Sequence, residues 1–150
     1  MKSSETKRLG PTMILKAQWI AGFVDGEGCF FVGINAHKEM TAGFQVLPEF
    51  TVVQHQNDVQ LLHALKEYFE CGVVRKNHGD RMAFRVRGLD DLQSKIIPFF
   101  DRYILQSRKR QDYLVFRKIV KMMSRKDHLK PGGIQMIRTM ARSMNRGRIR

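Results

Sequence analysis

Trp19-Ile20-Ala21-Gly22-Phe23-Val24-Asp25-Gly26-Glu27-Gly28 decides the fold: an apolar helical stretch that ends in two acids set between glycines. Two helices bring their backbones close only where side chains are absent. Ala21, Gly22 and Gly26 are small residues on neighbouring turns, so this helix offers a contact face. Gly26 and Gly28 are poor helix-interior residues, and the helix is expected to end here and pass Glu27 into an extended segment. If two such helices pack side by side, both Glu27 carboxylates arrive near one axis. A hard divalent cation can then be held by carboxylate, backbone carbonyl, water and phosphate oxygens together. A bare D-G-E-G is more often a capped or solvated helix end. As a dinucleotide loop it fails, because it follows a helix and Phe31 stands where the third glycine belongs.

Outward from this segment, the 150 residues are expected to form one domain, 1–150, with a basic tail over 1–14 and another over 145–150. A net charge of +13, from 27 Lys and Arg against 14 Asp and Glu, points to a polyanionic partner. Ribosomal and membrane-surface proteins share that property, so charge alone does not choose among them. Cys29 and Cys71 fit no metal-ligand spacing and are expected to be reduced, partly buried thiols in a reducing compartment. The five histidines form no zinc-binding set. No apolar run approaches a membrane span, and the first twelve residues lack the apolar centre of a secretion signal, so a soluble chain without a membrane partner is expected.

Alternation predicts a strand over 29–37, with Phe30, Val32 and Ile34 on one face and Phe31, Gly33, Asn35 and His37 on the other. A second strand, 44–53, places Phe44, Val46, Phe50 and Val52 inward and Gln45, Leu47, Glu49 and Thr51 outward. Pro48 in its middle implies a bulge or an unpaired edge. Asn57 with Gln60 reads as a capping box for a helix whose buried stripe is Leu61, Leu62, Leu65 and Phe69, stopped by Gly72. A hairpin follows over 73–77 and 81–87, with Met82, Phe84 and Val86 inward and Ala83, Arg85 and Arg87 outward. A short helix is expected to close at Pro98, and two more carry Tyr113, Phe116, Val120 and Met123, then Ile137, Met140, Ala141 and Met144.

The segment Ile20 to Gly28 resembles, position by position, the LAGLIDADG motif of homing endonucleases, with conservative changes that leave the acids in place. The likeness extends through Phe50 to Leu62 and His128 to Ile137, covering most of the chain beyond Leu15. It implies an α+β fold of order αββαββα, with a further helix appended and an antiparallel sheet forming a DNA-binding saddle. The chain carries one motif copy, which implies a homodimer whose two-fold axis runs along the motif helices, with Ile20, Ala21, Gly22, Phe23, Asp25 and Gly26 at the interface. It also implies metal-dependent hydrolysis of DNA, with Mg2+ as the cation and Mn2+ or Ca2+ able to replace it for binding. Glu27 would hold the metal, joined by the Gly26 carbonyl, while Asp25 serves the helix end. Gln54 matches the family's polar residue at the end of the second strand. The family's lysine falls within Ser107-Arg108-Lys109-Arg110, with Lys109 chosen first and Arg108 next. An intron-borne gene in a chloroplast or mitochondrion would accompany this reading.

The outward strand residues Phe31, Gly33, Asn35, His37, Gln45, Glu49, Thr51, Arg75, Asn77, Arg85 and Arg87 would meet double-stranded DNA. Arg suits guanine, and Asn or Gln suits adenine, in the major groove. The same alternation also describes the solvated face of any one-sided sheet. The basic stretch 138–150 is expected to touch phosphates without reading sequence. Two alternatives stand beside the endonuclease: an RNA maturase that assists splicing of intron RNA, and a DNA-binding regulator that does not cut. Intact Glu27, Gln54 and a nearby lysine favour cleavage.

Overall fold

A computed structural model describes residues 13–40 and 42–145. Helix α1 (Ala17–Glu27) leads directly into strand β1 (Gly28–Ala36), then β2 (Phe44–His55), a 3-10 turn (Gln56–Asp58) and α2 (Val59–Phe69). The hairpin β3 (Val73–His78) and β4 (Arg81–Val86) follows. A helical layer completes the chain: α3 (Leu89–Asp91), a π turn (Leu92–Ile96), α4 (Ile97–Arg102), α5 (Lys109–Ser124) and α6 (Gly133–Ala141). The four strands make one antiparallel sheet of order β1-β2-β4-β3.

Helix gives way to strand without a linker because Gly28 allows it. A Cβ at that position would lie 2.6 Å from Val24 Cγ1, so only glycine lets the chain turn this tightly past the last helical turn. One face of the sheet is then sealed by helices. Phe30, Phe50, Phe84 and Phe100 are fully buried there, with the Phe30 ring 5.2 Å from Phe50 and 5.5 Å from Phe100. Ile20 and Val24 of α1, Leu62 and Leu65 of α2, and Phe116 and Val120 of α5 fill the remaining space.

Several local expectations needed correction. Pro48 causes no bulge: β1 pairs with β2 in unbroken register, and β4 joins the other edge of β2 only from Phe50 onward, so the proline lies where that edge is unpaired. Asn57 does not cap α2 with its side chain. Instead His55 Nδ1 accepts the Asn57 N–H at 3.0 Å and holds the 3-10 turn that precedes the helix. α2 stops at Glu70, which takes the left-handed conformation two residues before Gly72. Pro98 does not close its helix but occupies the first turn of α4, where a missing N–H costs nothing, and the π turn before it absorbs the mismatch. Ala83, expected outward, is 1% exposed because it sits on a central strand between Val53 and Arg75. His37 lies beyond β1, where its N–H closes the turn onto Gly43 O.

Asn145, expected to begin the C-terminal tail, is held by the fold, its N–H donating to Asp112 Oδ1 (2.9 Å) and its amide to Phe30 O (3.1 Å). Residues 1–12 and the arginines at 146, 148 and 150 lie outside the described residues.

Candidate active site and nucleic-acid face

The last residue of α1 and the penultimate residue of β2 meet at one rim of the sheet. Gln54 Nε2 donates to Glu27 Oε1 at 3.0 Å and to Val53 O at 3.0 Å, so the amide is oriented by its own strand and orients the carboxylate in turn. Glu27 is exposed and Gln54 half-buried, so the carboxylate stands at the solvent side of the pair. An oxygen donor set of this kind suits a hard cation such as Mg2+. Among the described residues no cluster of three or more His, Cys, Asp or Glu side chains could hold a metal alone.

Asp25 performs a different task two residues earlier. Its carboxylate accepts the backbone N–H of Gln106 (2.7 Å) and of Ser107 (3.0 Å) and the Ser107 hydroxyl (2.7 Å). Burial by itself would raise the Asp25 carboxyl, but the Ser107 and Gln106 hydrogen bonds, with the charge of Lys109 nearby, hold it below the ordinary carboxylate range. Ser107 Oγ also accepts the Lys109 N–H at 3.2 Å. The end of α1 is thus latched to the start of α5, and Lys109, only 6% exposed, opens that helix with its charge felt at Asp25. Arg108 is exposed and Arg110 half-buried, so of this basic run only Lys109 is built into the protein. Sequence reading does not assign Ser107 and Gln106 as partners of Asp25. Their partner is some eighty positions away in the chain, and no local pattern marks them.

The sheet face away from the helices carries the expected residues in register. Asn35 lies opposite Gln45, Phe31 opposite Glu49, and Thr51 opposite Arg85. Arg75 pairs with Ala83, and the β3 register shifts between Lys76 and His78, a bulge that leaves Asn77 as the extra residue. Gly33 stands opposite the exposed Leu47, and Phe31 is itself exposed. At the centre of this face Glu49, Arg85, Arg87 and Asn77 form one connected network.

The sequence profile of the LAGLIDADG endonuclease family matches residues 20–120, which include Glu27, Gln54, Asp25 and Lys109. The chain belongs to this family. The homing endonuclease I-TnaI is similar in structure at a TM-score of 0.87 and 48% identity, over 91% of this chain and 92% of that one. The LAGLIDADG homing endonuclease I-SmaMI, solved bound to cleaved DNA, is 32% identical with a TM-score of 0.87, and this chain covers 93% of its own length but 47% of that protein. The DNA endonuclease I-CvuI of Chlorella vulgaris is 33% identical over 75% of this chain and 69% of its own length. Against three other curated relatives, two of them named as probable intron-encoded endonucleases of Neurospora crassa, the chain spans about a quarter of their length (27%, 26% and 25%).

The LAGLIDADG helix presents two unlike sides. Ile20 is fully buried and Ala21 7% exposed, so within the chain both turn to the core rather than to the open side of the helix. The open side consists of Gly22 and Gly26, where an added Cβ would meet nothing within 4 Å, flanked by the stacked rings of Trp19 and Phe23 at 4.8 Å. Asp25 points its carboxylate at Ser107 rather than outward from that side. No helix among the described residues is long and apolar enough to cross a membrane.

Proposed function

We propose that the chain is a homodimeric, site-specific double-strand DNA endonuclease that hydrolyses a long, roughly palindromic target in the presence of Mg2+. The observation that carries this reading is the 3.0 Å contact between Gln54 Nε2 and Glu27 Oε1 at the end of the motif helix, on the rim of the outward sheet face. Glu27, with the Gly26 carbonyl, would hold the cation, which when bound would supply positive charge against that building on the phosphoryl oxygens and the leaving 3' oxygen. Gln54 fixes the orientation of the Glu27 carboxylate through its amide protons. Lys109 adds a positioned positive charge felt at Asp25, and Arg108, free on the surface, serves a phosphate instead.

Two copies are required because one chain supplies one acid, and the glycine side of α1, open at Gly22 and Gly26, lets a second α1 approach at backbone distance. The outward residues Asn35, Gln45, Thr51 and Arg75, with Phe31 and Leu47 as apolar contacts, then line a continuous groove-facing surface from both subunits. Such a gene product is expected in a chloroplast or mitochondrion, in keeping with the intron-encoded relatives. The intact Glu27 and Gln54 pair favours cutting over a maturase or a silent regulator.

Purified full chain with Mg2+ should linearise a plasmid that carries the uninterrupted host site. Glu27→Gln keeps size and DNA binding but removes the charge that holds the cation, so cutting should fall on the order of 1,000-fold or more. Near-normal linearisation by Glu27→Gln removes the assignment of the metal to this residue.

A further inference from the structure

We propose that Arg87 reads a guanine edge on the outward sheet face, and that Glu49 is the positioning residue that aims it, with Arg85 and Asn77 as fixed supports rather than readers. The inference rests on the DNA-cutting function above and names which side chain supplies specificity at the centre of the sheet. Glu49 projects from β2 and is only 18% exposed, so its carboxylate is a floor and not a surface charge. Arg87 Nε donates to Glu49 Oε1 at 2.7 Å, which fixes the inner edge of the guanidinium. The side chain is still 64% exposed, and with Nε engaged its two terminal nitrogens remain as a fork of the kind that matches guanine O6 and N7.

Arg85 is placed differently although it follows the same alternation. It is 26% exposed, its Nε lies 3.7 Å from Glu49 Oε2, and one terminal nitrogen donates to Asn77 Oδ1 at 2.6 Å. One of its two terminal nitrogens is engaged within the protein and its Nε is buried, so less of its guanidinium is open to a base than that of Arg87. Asn77 in turn has its carbonyl oxygen engaged, whereas adenine reading uses the amide's oxygen and nitrogen together. Two arginines around one carboxylate leave a net positive charge here, and the arginine farther from the strand carries it to the surface. Held in this way, Arg87 loses less side-chain freedom on meeting a base than an unsupported arginine would.

The test is a binding selection from a randomised duplex library with the full chain, comparing wild type with Arg87→Ala, Arg85→Ala and Glu49→Gln, each checked for an unchanged thermal melt. Arg87→Ala should abolish a guanine preference at one position of each half-site, a discrimination of roughly 5- to 150-fold. Glu49→Gln should relax the same position while raising affinity for all other sequences, because an acid has left a face that meets phosphates. A merely structural role for Glu49 would not move preference at that single position. Guanine preference that survives Arg87→Ala, or that is lost at a separate position in Arg85→Ala, overturns the assignment while leaving the DNA reading intact. A wild-type chain that enriches no sequence overturns both.

Discussion

The two faces of the sheet are written in one alternating code yet obey different rules. On the helix side, Phe30, Phe50 and Phe84 from three strands are fully buried, and Phe50 packs against both of the others, so each fixes the position of the next. On the other side, Arg85 stands opposite Thr51 and reaches toward Glu49, a contact set by charge and reach rather than by volume. A one-residue slip would exchange the faces and bury Glu49, which is why the apolar face alone secures the register. The outward face is left free to vary, and that freedom lets such a scaffold acquire a target.

The largest effect that could break this contrast comes from adjacent residues on β2. Phe50→Ala removes a ring from the aromatic cluster and should destabilise the chain by about 3–5 kcal/mol, enough to unfold much of it. Thr51→Val, one position along, should change stability by less than about 0.5 kcal/mol, since Thr51 Oγ1 is buried without a hydrogen-bond partner and loses nothing when replaced. Urea unfolding of both variants measures the difference. Equal losses would mean that the outward face is as tightly packed as the inner one.

The same inside-and-outside logic extends to α1, which seals the inner face with Ile20 and Val24 while leaving Gly22 bare. Gly22→Leu should be tolerated within the chain, where nothing lies within 4 Å and leucine is a better helix former by about 0.5–1 kcal/mol. Between chains it should block a close helix crossing, costing about 1–3 kcal/mol or more of assembly. Sedimentation should show a monomer, and circular dichroism a retained helix content. A normal dimer would move the interface away from the glycine side.

How far these features could be read from the chain follows from how local their causes are. The end of α1 at Glu27 and the start of β1 at Gly28 were legible because two glycines act on their own backbone. The resemblance to the motif names Glu27 and Gln54 as candidates for one site but not the hydrogen bond between them, and alternation finds the inward phenylalanines. Ala83 was misplaced because its burial comes from its central position between two other strands, which alternation cannot report. The Asn57 box failed because His55 offered a competing acceptor two residues away. The Asp25 latch onto Gln106 and Ser107, and the Arg85 bond to Asn77, are tertiary choices with no signature in spacing.

The smallest effect concerns the helical layer that covers the inner face. Tyr113 is buried and its hydroxyl donates to Asp101 Oδ1 (2.6 Å) and lies 2.8 Å from Ile97 O, while Arg117 Nε reaches both Asp101 oxygens at 2.9 and 3.1 Å. Burial tends to raise the Asp101 carboxyl, but the bonds from Arg117 and Tyr113 outweigh it and leave it lowered from 3.8. A carboxyl whose folded value lies below its unfolded one adds stability above the unfolded value and loses it as pH falls through the folded one. Wild type should therefore be more stable than Asp101→Asn at neutral pH, and the gap should close as pH drops below about 3.8. Because Asp101 is partly exposed and solvent screens the pair, the gap should be no more than about 0.5–1 kcal/mol. Urea midpoints measured from pH 7 down to pH 3 would show it, and a gap that stays constant across that range would mean that Asp101 acts here through packing alone and that charge plays no part in closing the inner face.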